Sequence, residues 1–348
     1  MPAIISIVKS ICVLITAAAA VFSASKLDYP SKTSASSATS DLHKSPATAL
    51  KIAQVCFSPD SNSIAILAGD RMLSNWPAAG GNPTAQTLIT SLPLTCLEWD
   101  TTGDHLYVGT SKSQVLQCDP KTLDINFKIH SEIDIINQLN NVGQPESLLS
   151  FGNVVNSQGK LSQSTLKLWH NDIHRNLENI PDLHYICAGR QEETGLFAFG
   201  ASTGEIVLAD LFSNSNPIIL VKMDSAVECL KWSGSNLVAT SEGTLHLIDS
   251  SKSKCLKSIQ ISAKPIRHIE ISNNKKVLFI AAGSEAVQVR NAVSGELICK
   301  LASVNEMVST ITLSPDGKTL AVGTCQGNVT LWNTSDFQIK TIIPAGIN

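Results

Sequence analysis

The sequence is poor in the features that mark several common functions. Aromatic residues make up only 5 % of the chain, too few for a surface built to stack bases or sugars. Charged residues are 16 %, and 26 Lys and Arg against 29 Asp and Glu leave a formal net charge of −3. No overall field therefore draws nucleic acid or an anionic membrane. No basic run interleaved with aromatics occurs either, so no nucleic-acid partner is expected. There are nine cysteines but no Cys-x-x-Cys pair, so a structural zinc site has no support and no cofactor is expected. What is plentiful is apolar residue, at 43 %, enough for a sizeable core.

The first 24 residues stand apart. Lys9 is their only side-chain charge, and Ile11 to Phe22 form an apolar run broken only by Thr16 and followed by small residues at Ser23 and Ala24. That order matches a secretory signal, with bulky Phe22 a poor fit to the cleavage region. Left uncleaved, residues 1–24 are long enough to anchor the chain in a membrane. The plain alternative is an apolar helix packed on the domain. Residues 25–48 are rich in Ser, Thr, Ala and Pro, as in Ser34-Ala35-Ser36-Ser37, and read as a flexible linker. The expected location is exported, periplasmic or secretory, with a possible membrane tether through residues 1–24. Cys56, Cys96, Cys187 and Cys229 fall in expected inner strands, where free Cys behaves as a small buried hydrophobe. Such unpaired thiols argue against an oxidising compartment and keep a cytoplasmic location open.

From residue 51 the chain repeats itself. Six of seven units open with small or apolar residues at offsets 0, 3 and 5: Ile52, Val55 and Phe57; Leu94, Leu97 and Trp99; Leu183, Ile186 and Ala188; Val227, Leu230 and Trp232; Ile266, Ile269 and Ile271; Val308, Ile311 and Leu313. The third unit, near Ile133 and Ile136, puts Gln138 in the last place. Turns such as Ser58-Pro59-Asp60 and Ser314-Pro315-Asp316-Gly317 follow; Pro, Asp and Gly supply their geometry. A second strand of continuous apolar character comes next, as in Ile64 to Ala68, which requires cover on both faces. A third strand of alternating character and a more polar fourth strand complete each unit.

The third strand ends in a dipeptide that marks the period: Trp76-Pro77, Cys118-Asp119, Trp169-His170, Ala209-Asp210, Ile248-Asp249, Arg290-Asn291 and Trp332-Asn333. Their second members lie 42, 51, 40, 39, 42 and 42 residues apart. Four strands per unit at that period is the sequence signature of a propeller. The chain is therefore expected to be all-β: a seven-bladed β-propeller of four-stranded antiparallel blades over residues 49–348, preceded by an apolar leader and a flexible linker. On these residues it resembles the WD40-repeat family in divergent form. The Trp-Asp pair at the end of the third strand is never intact, the Gly-His pair before the inner strand is absent, and Gln326 replaces the turn Asp of the last unit. In the family those residues form a buried hydrogen-bond network, so blades held mainly by apolar packing are expected. The long third unit predicts a protruding hairpin around 155–160. Closure is expected through side-chain packing between last and first blades, or through an outer strand from residues 43–50.

Catalytic signals are weak. Gly200-Ala201-Ser202-Thr203-Gly204 matches Gly-x-Ser-x-Gly, but it lies between two strands rather than between a strand and a helix. His170 and His174 are four apart, yet sit after a third strand and off any helix, so a loop is expected there rather than a metal site. Glu132 and Asp134 lack a partner base and read as a charged rim. The resemblance implies a non-catalytic scaffold that binds a protein or peptide through the face and channel mouth. The polar residues flanking the inner-strand starts are the candidate contacts: Lys51, Glu132, His184, Glu228, Arg267, His268 and Glu306. The alternative is a propeller enzyme, lactonase- or hydrolase-like, with its site over the central channel.

Overall fold

The computed structural model describes residues 50–89, 91–155, 161–170, 173–177, 180–213, 215–282, 286–302 and 306–345. The leader, the whole linker and residues 156–160, where the protruding hairpin was expected, lie outside them. The described chain forms seven antiparallel sheets of four strands, each wound from one continuous stretch. The blades cover 52–88, 94–130, 135–176, 185–222, 229–260, 268–302 and 308–344, and no helix occurs among the described residues. Each blade's innermost strand touches the innermost strands of both neighbours, including blade 1 against blade 7. These strands ring a central channel.

The apolar second strands explain the stacking. In Ser63–Ala68 every residue from Ile64 is buried. Side chains on a strand alternate between faces, and the two faces serve different seams. Ile64, Ile66 and Ala68 pack with Ala321, Val329 and Leu331 of blade 7. Ala65 and Leu67 pack with Leu97, Trp99 and Val108 of blade 2. Burying one such aliphatic side chain contributes about 1.5–3 kcal/mol, and the pattern recurs around the ring.

Blade 3 carries the longest strands, Ser147–Val155 and Leu161–His170. They are nine and ten residues long, against five or six for the second and third strands of the other blades.

Register departs from the sequence-based expectation in two blades. In blade 1 the inner strand pairs Ile52 with Ala68, bulges at Ala53, and ends with Phe57 opposite Ile64. Blade 4 follows the same scheme with Tyr185 opposite Ala201 and Arg190 opposite Phe197. Its three positions are thus Tyr185, Ala188 and Arg190, not Leu183, Ile186 and Ala188. The turn decides this: Gln191 N bonds Leu196 O at 2.8 Å, as Ser58 N bonds Ser63 O at 2.9 Å. In blade 3, Ile136 pairs with Gly152 and Asn141 with Leu148, so Ile136, Leu139 and Asn141 replace Ile133, Ile136 and Gln138. Ile133 is buried, but in the seam with blade 2 ahead of the strand.

Apolar packing is joined by side-chain bonds that cross the seams. Gln54 donates to Leu97 O at 2.9 Å and accepts from Leu97 N at 2.8 Å. Gln138 donates to Ala188 O, and Thr95 to Ile136 O. These bonds add to seams whose bulk is apolar, as expected. At the closing seam Ser309 Oγ donates to Ile52 O at 2.6 Å, and Asp316 N to Ser61 Oγ at 3.0 Å. Side chains take part in closing that seam in the described residues; of 43–50, the proposed extra strand, all but Leu50 lie outside them, and Leu50 is not in a strand.

Candidate functional site

Inner strands present alternate sides to the seams and to the channel, and the burial pattern of Ile52–Phe57 shows which. The first, fourth and sixth positions are buried, while the second, third and fifth reach the channel. The channel cavity, about 830 Å³, is lined by all seven inner strands. The fifth position of each blade falls in the same register and forms a ring: Cys56, Glu98, Asn140, Gly189, Lys231, Glu270 and Thr312.

This ring is charged. Lys231 Nζ lies 3.0 Å from Glu270 Oε1. Burial pushes the Glu98 carboxyl up to about 8, although Lys231 opposes the shift. Burial likewise raises Glu270, against the pull of Lys231. For Lys231, burial works against the charge, but Glu270 and Glu98 outweigh it and hold the ammonium above its ordinary range. Lys231 is thus paired with Glu270 in the ring, and Glu98 keeps its proton at neutral pH. Nothing in the sequence reading singled out Glu98, Lys231 or Glu270. The available signal was a charged residue just before the last apolar position in three units, as in Leu97-Glu98-Trp99.

Above the ring is the proximal face, where inner strands begin and where the seven candidate residues were expected. Four of them are engaged by the chain itself. Glu132 pairs with Lys167 Nζ, whose side chain is 1 % exposed against 74 % for Glu132. His184 Nε2 bonds Asn153 Oδ1 at 2.9 Å. Glu228 Oε2 accepts from Ile266 N at 2.9 Å, across the seam between blades 5 and 6. Glu306 accepts from Asn328 Nδ2 at 2.7 Å. Of the other three, Lys51 immediately precedes blade 1, Arg267 immediately precedes blade 6 and His268 is the first residue of blade 6, so they flank blade 7. Lys51 and Arg267 are exposed and His268 is half-buried. Burial pushes the His268 imidazole down to about 4, and Lys231, Arg267 and Lys51 push the same way. The three cations thus converge electrostatically on one imidazole, which stays neutral at pH 7. Arg267 and His268 also line the channel.

The remaining sequence motifs take structural places. Gly200 to Gly204 spans a hairpin turn between Phe197–Ala201 and Glu205–Ala209, with Gly204 at φ +96°. Ser202 N donates to His184 O there, and Glu205 is occupied by Thr203 and by Lys222. His170 Nδ1 bonds Ser147 Oγ at 2.8 Å. Cys96, Cys187 and Cys229 are buried and Cys56 half-buried, all as free thiols. Burial pushes Cys96 up to about 12 and Cys229 to about 11, so thiolate chemistry is suppressed.

Residues 295–333 match the family model of the WD domain, G-beta repeat. The match runs from the outer strand of blade 6 through the third strand of blade 7. A search of curated proteins finds no match to the chain.

Proposed function

Taking the chain as a seven-bladed propeller of the WD40-repeat type, we propose that it is a non-catalytic scaffold that binds a protein or peptide at the proximal channel mouth. One observation carries this reading. Of seven polar side chains around that mouth, four are spent on contacts within the chain, and Lys51, Arg267 and His268 have no side-chain partner among the described residues. A rim that merely solvated the fold would not need uncommitted cations on both sides of one blade. Site-specific photocrosslinkers at Arg267 and Met307 of the full chain test the reading. Crosslinked peptides recovered from these positions, and not from Lys128 on the outer strand of blade 2, are the expected result. Equal yields from all three overturn it.

A second reading rests on the ring. A carboxyl titrating near 8 in the same channel ring as a lysine is what acid–base chemistry uses, and it favours the propeller-enzyme alternative. Against it, Lys231 is already neutralised by Glu270, and burial holds the neighbouring Cys56 thiol well above its ordinary value. Turnover of a lactone or ester that is lost in Glu98→Gln would decide for the enzyme.

The proposal extends to residues 1–24 as a targeting or tethering segment that takes no part in the propeller. Deleting them is expected to leave the melting temperature unchanged while changing the cell fraction. An aggregated or unfolded product would place the segment in the domain.

A further inference from the structure

We propose that Cys255 is a modification site that takes up a mixed disulfide from a low-molecular-weight disulfide, with Ser258 and His246 carrying off its proton. The site lies on the outer strand of blade 5, away from the channel, and stands independently of the scaffold reading.

The register of blade 5 builds it. His246 and Ile248 share one face of the third strand, Thr244–Asp249, because side chains alternate along a strand. Cys255 and Ser258 lie on the outer strand, Lys254–Gln260, at a spacing that a regular ladder would send to opposite faces. A bulge intervenes: Ile248 pairs with Cys255, Leu247 with Lys257 and His246 with Ser258. The extra residue, Leu256, turns Cys255 and Ser258 to the face of His246. Cys255 Sγ lies 3.4 Å from Ser258 Oγ, and Ser258 Oγ lies 2.9 Å from His246 Nδ1. Sγ itself is 4.0 Å from that nitrogen. The thiol also reaches Lys257 O at 3.5 Å, an acceptor that can share the proton but not remove it.

The surroundings leave this thiol able to react. Cys255 is half-buried and Ser258 exposed, and their strand ends its sheet, with no strand bonded to its far edge. Burial holds the His246 imidazole below its ordinary value, against the pull of Asp224 on the connection from blade 4. The ring is therefore neutral at pH 7, and Nδ1 can take a proton. Among the described residues no other thiol has an imidazole within hydrogen-bond reach. Cys56, Cys96 and Cys187 bond to backbone carbonyls, and burial raises all three. A base acts on a nucleophile directly or through one bridging group, and the thiolate is the attacking form. The step balances. Sγ attacks one sulfur of R–S–S–R, the Sγ–S bond forms as the S–S bond breaks, and the second sulfur departs as a thiolate. The Sγ proton passes through Ser258 Oγ to His246 Nδ1 and then to that thiolate, which leaves as R–SH. Cys255 is oxidised to the mixed disulfide, and the departing sulfur is reduced to the thiol.

The test incubates the reduced full chain with glutathione disulfide, quenches by alkylation and follows the mixed disulfide at each cysteine by peptide mass spectrometry. Cys299 and Cys325 are half-buried as well, and Cys255 is expected to react at least about tenfold faster than either. His246→Ala and Ser258→Ala are each expected to slow Cys255 at least about tenfold. Added free imidazole is expected to restore the rate in His246→Ala, a rescue that a merely structural role would not allow. Cys325→Ser serves as the control and leaves the Cys255 rate unchanged. Thermal melts establish that each variant folds, and the comparison among thiols of the parent chain stands should one fail to. Modification of Cys255 no faster than of Cys299 and Cys325 overturns the proposal, as does an unchanged rate in His246→Ala. So does a slowed His246→Ala that imidazole leaves slow. Photocrosslinking at Arg267 reads the scaffold separately, so each proposal stands or fails on its own measurement.

Discussion

The indole Nε1 of Trp232 donates to the carbonyl oxygen of Gly189 across 3.0 Å, tying the inner strand of blade 5 to that of blade 4. Trp99 makes the same bond to Cys56 O, at 3.2 Å, between blades 2 and 1. Both rings are buried in apolar seams. Truncation to Ala is expected to cost about 3–5 kcal/mol at either site. Trp→Phe keeps most of the packing and removes only the donor, for about 1 kcal/mol. Denaturant unfolding checks both values. Unchanged midpoints in the two Ala variants would mean that the seams are held elsewhere.

Lys167 and Glu132 offer an asymmetric test. The lysine is fully buried and the glutamate mostly exposed. Removing the glutamate leaves a buried charge without its partner, whereas Lys167→Met removes the charge and keeps the volume. Breaking a buried pair from one side costs about 3–5 kcal/mol, and replacing it by an apolar residue is often neutral. Because Glu132 itself is wet, Glu132→Ala is expected near the lower end of that range. Lys167→Met is expected to melt above Glu132→Ala. The reverse order would show that the ammonium finds other partners.

The channel ring makes stability depend on pH. Glu98 ionises at an ordinary value of 4.5 when unfolded and at about 8 in the folded channel. Between those values the folded state holds a proton that the unfolded state has lost. Its stabilising effect is full below the lower value and disappears as pH rises through the upper one. The melting temperature should therefore fall from pH 6 to pH 9, and Glu98→Gln should flatten that fall. At pH 9 the variant is expected to melt about 2–5 °C above the parent, the scale of a one- to two-kcal/mol gain in a domain this large. Parallel curves for the two proteins would place Glu98 in ordinary water.

The closing seam has a tight point at Gly323. A Cβ built there would lie 2.7 Å from Ile52 Cγ2 and 2.7 Å from Thr310 Cγ2. Gly323→Ala is expected to cost about 1–3 kcal/mol by overpacking. Combining it with Ile52→Ala should cost less than the sum of the two, because each change relieves the other. A double-mutant cycle read by denaturant unfolding measures this coupling; strict additivity would show that the two residues do not meet.

The propeller was legible because its third strands end in recognisable pairs about one repeat apart, from Trp76-Pro77 to Trp332-Asn333. Register was harder. In blade 4, Leu183, Ile186 and Ala188 fit the apolar spacing better than Tyr185, Ala188 and Arg190 do, and only pairing with Phe197–Ala201 decides between them. Burial of those five residues on both faces outweighs the apolar preference of any single inner position. The site was half legible for a related reason. Glu228 reads as a rim residue until blade 6 is set beside it, where it accepts from Ile266 N, 38 residues on. The ring of Glu98, Lys231 and Glu270 becomes visible only when all inner strands share one register. Partners this far apart along the chain leave no local pattern.

Every sheet belongs to a single uninterrupted segment, and blade 7 meets blade 1 through side-chain packing and side-chain-to-backbone bonds, with no strand ladder between them in the described residues. The seven joints are therefore alike in kind, and six of them also carry a covalent loop. The seventh behaves as the clasp of a bracelet, where the ring yields first under strain. It can be relocated, too. A circular permutant that bridges 345 to 52 and is cut between 260 and 268 shifts the clasp to another joint and divides no sheet.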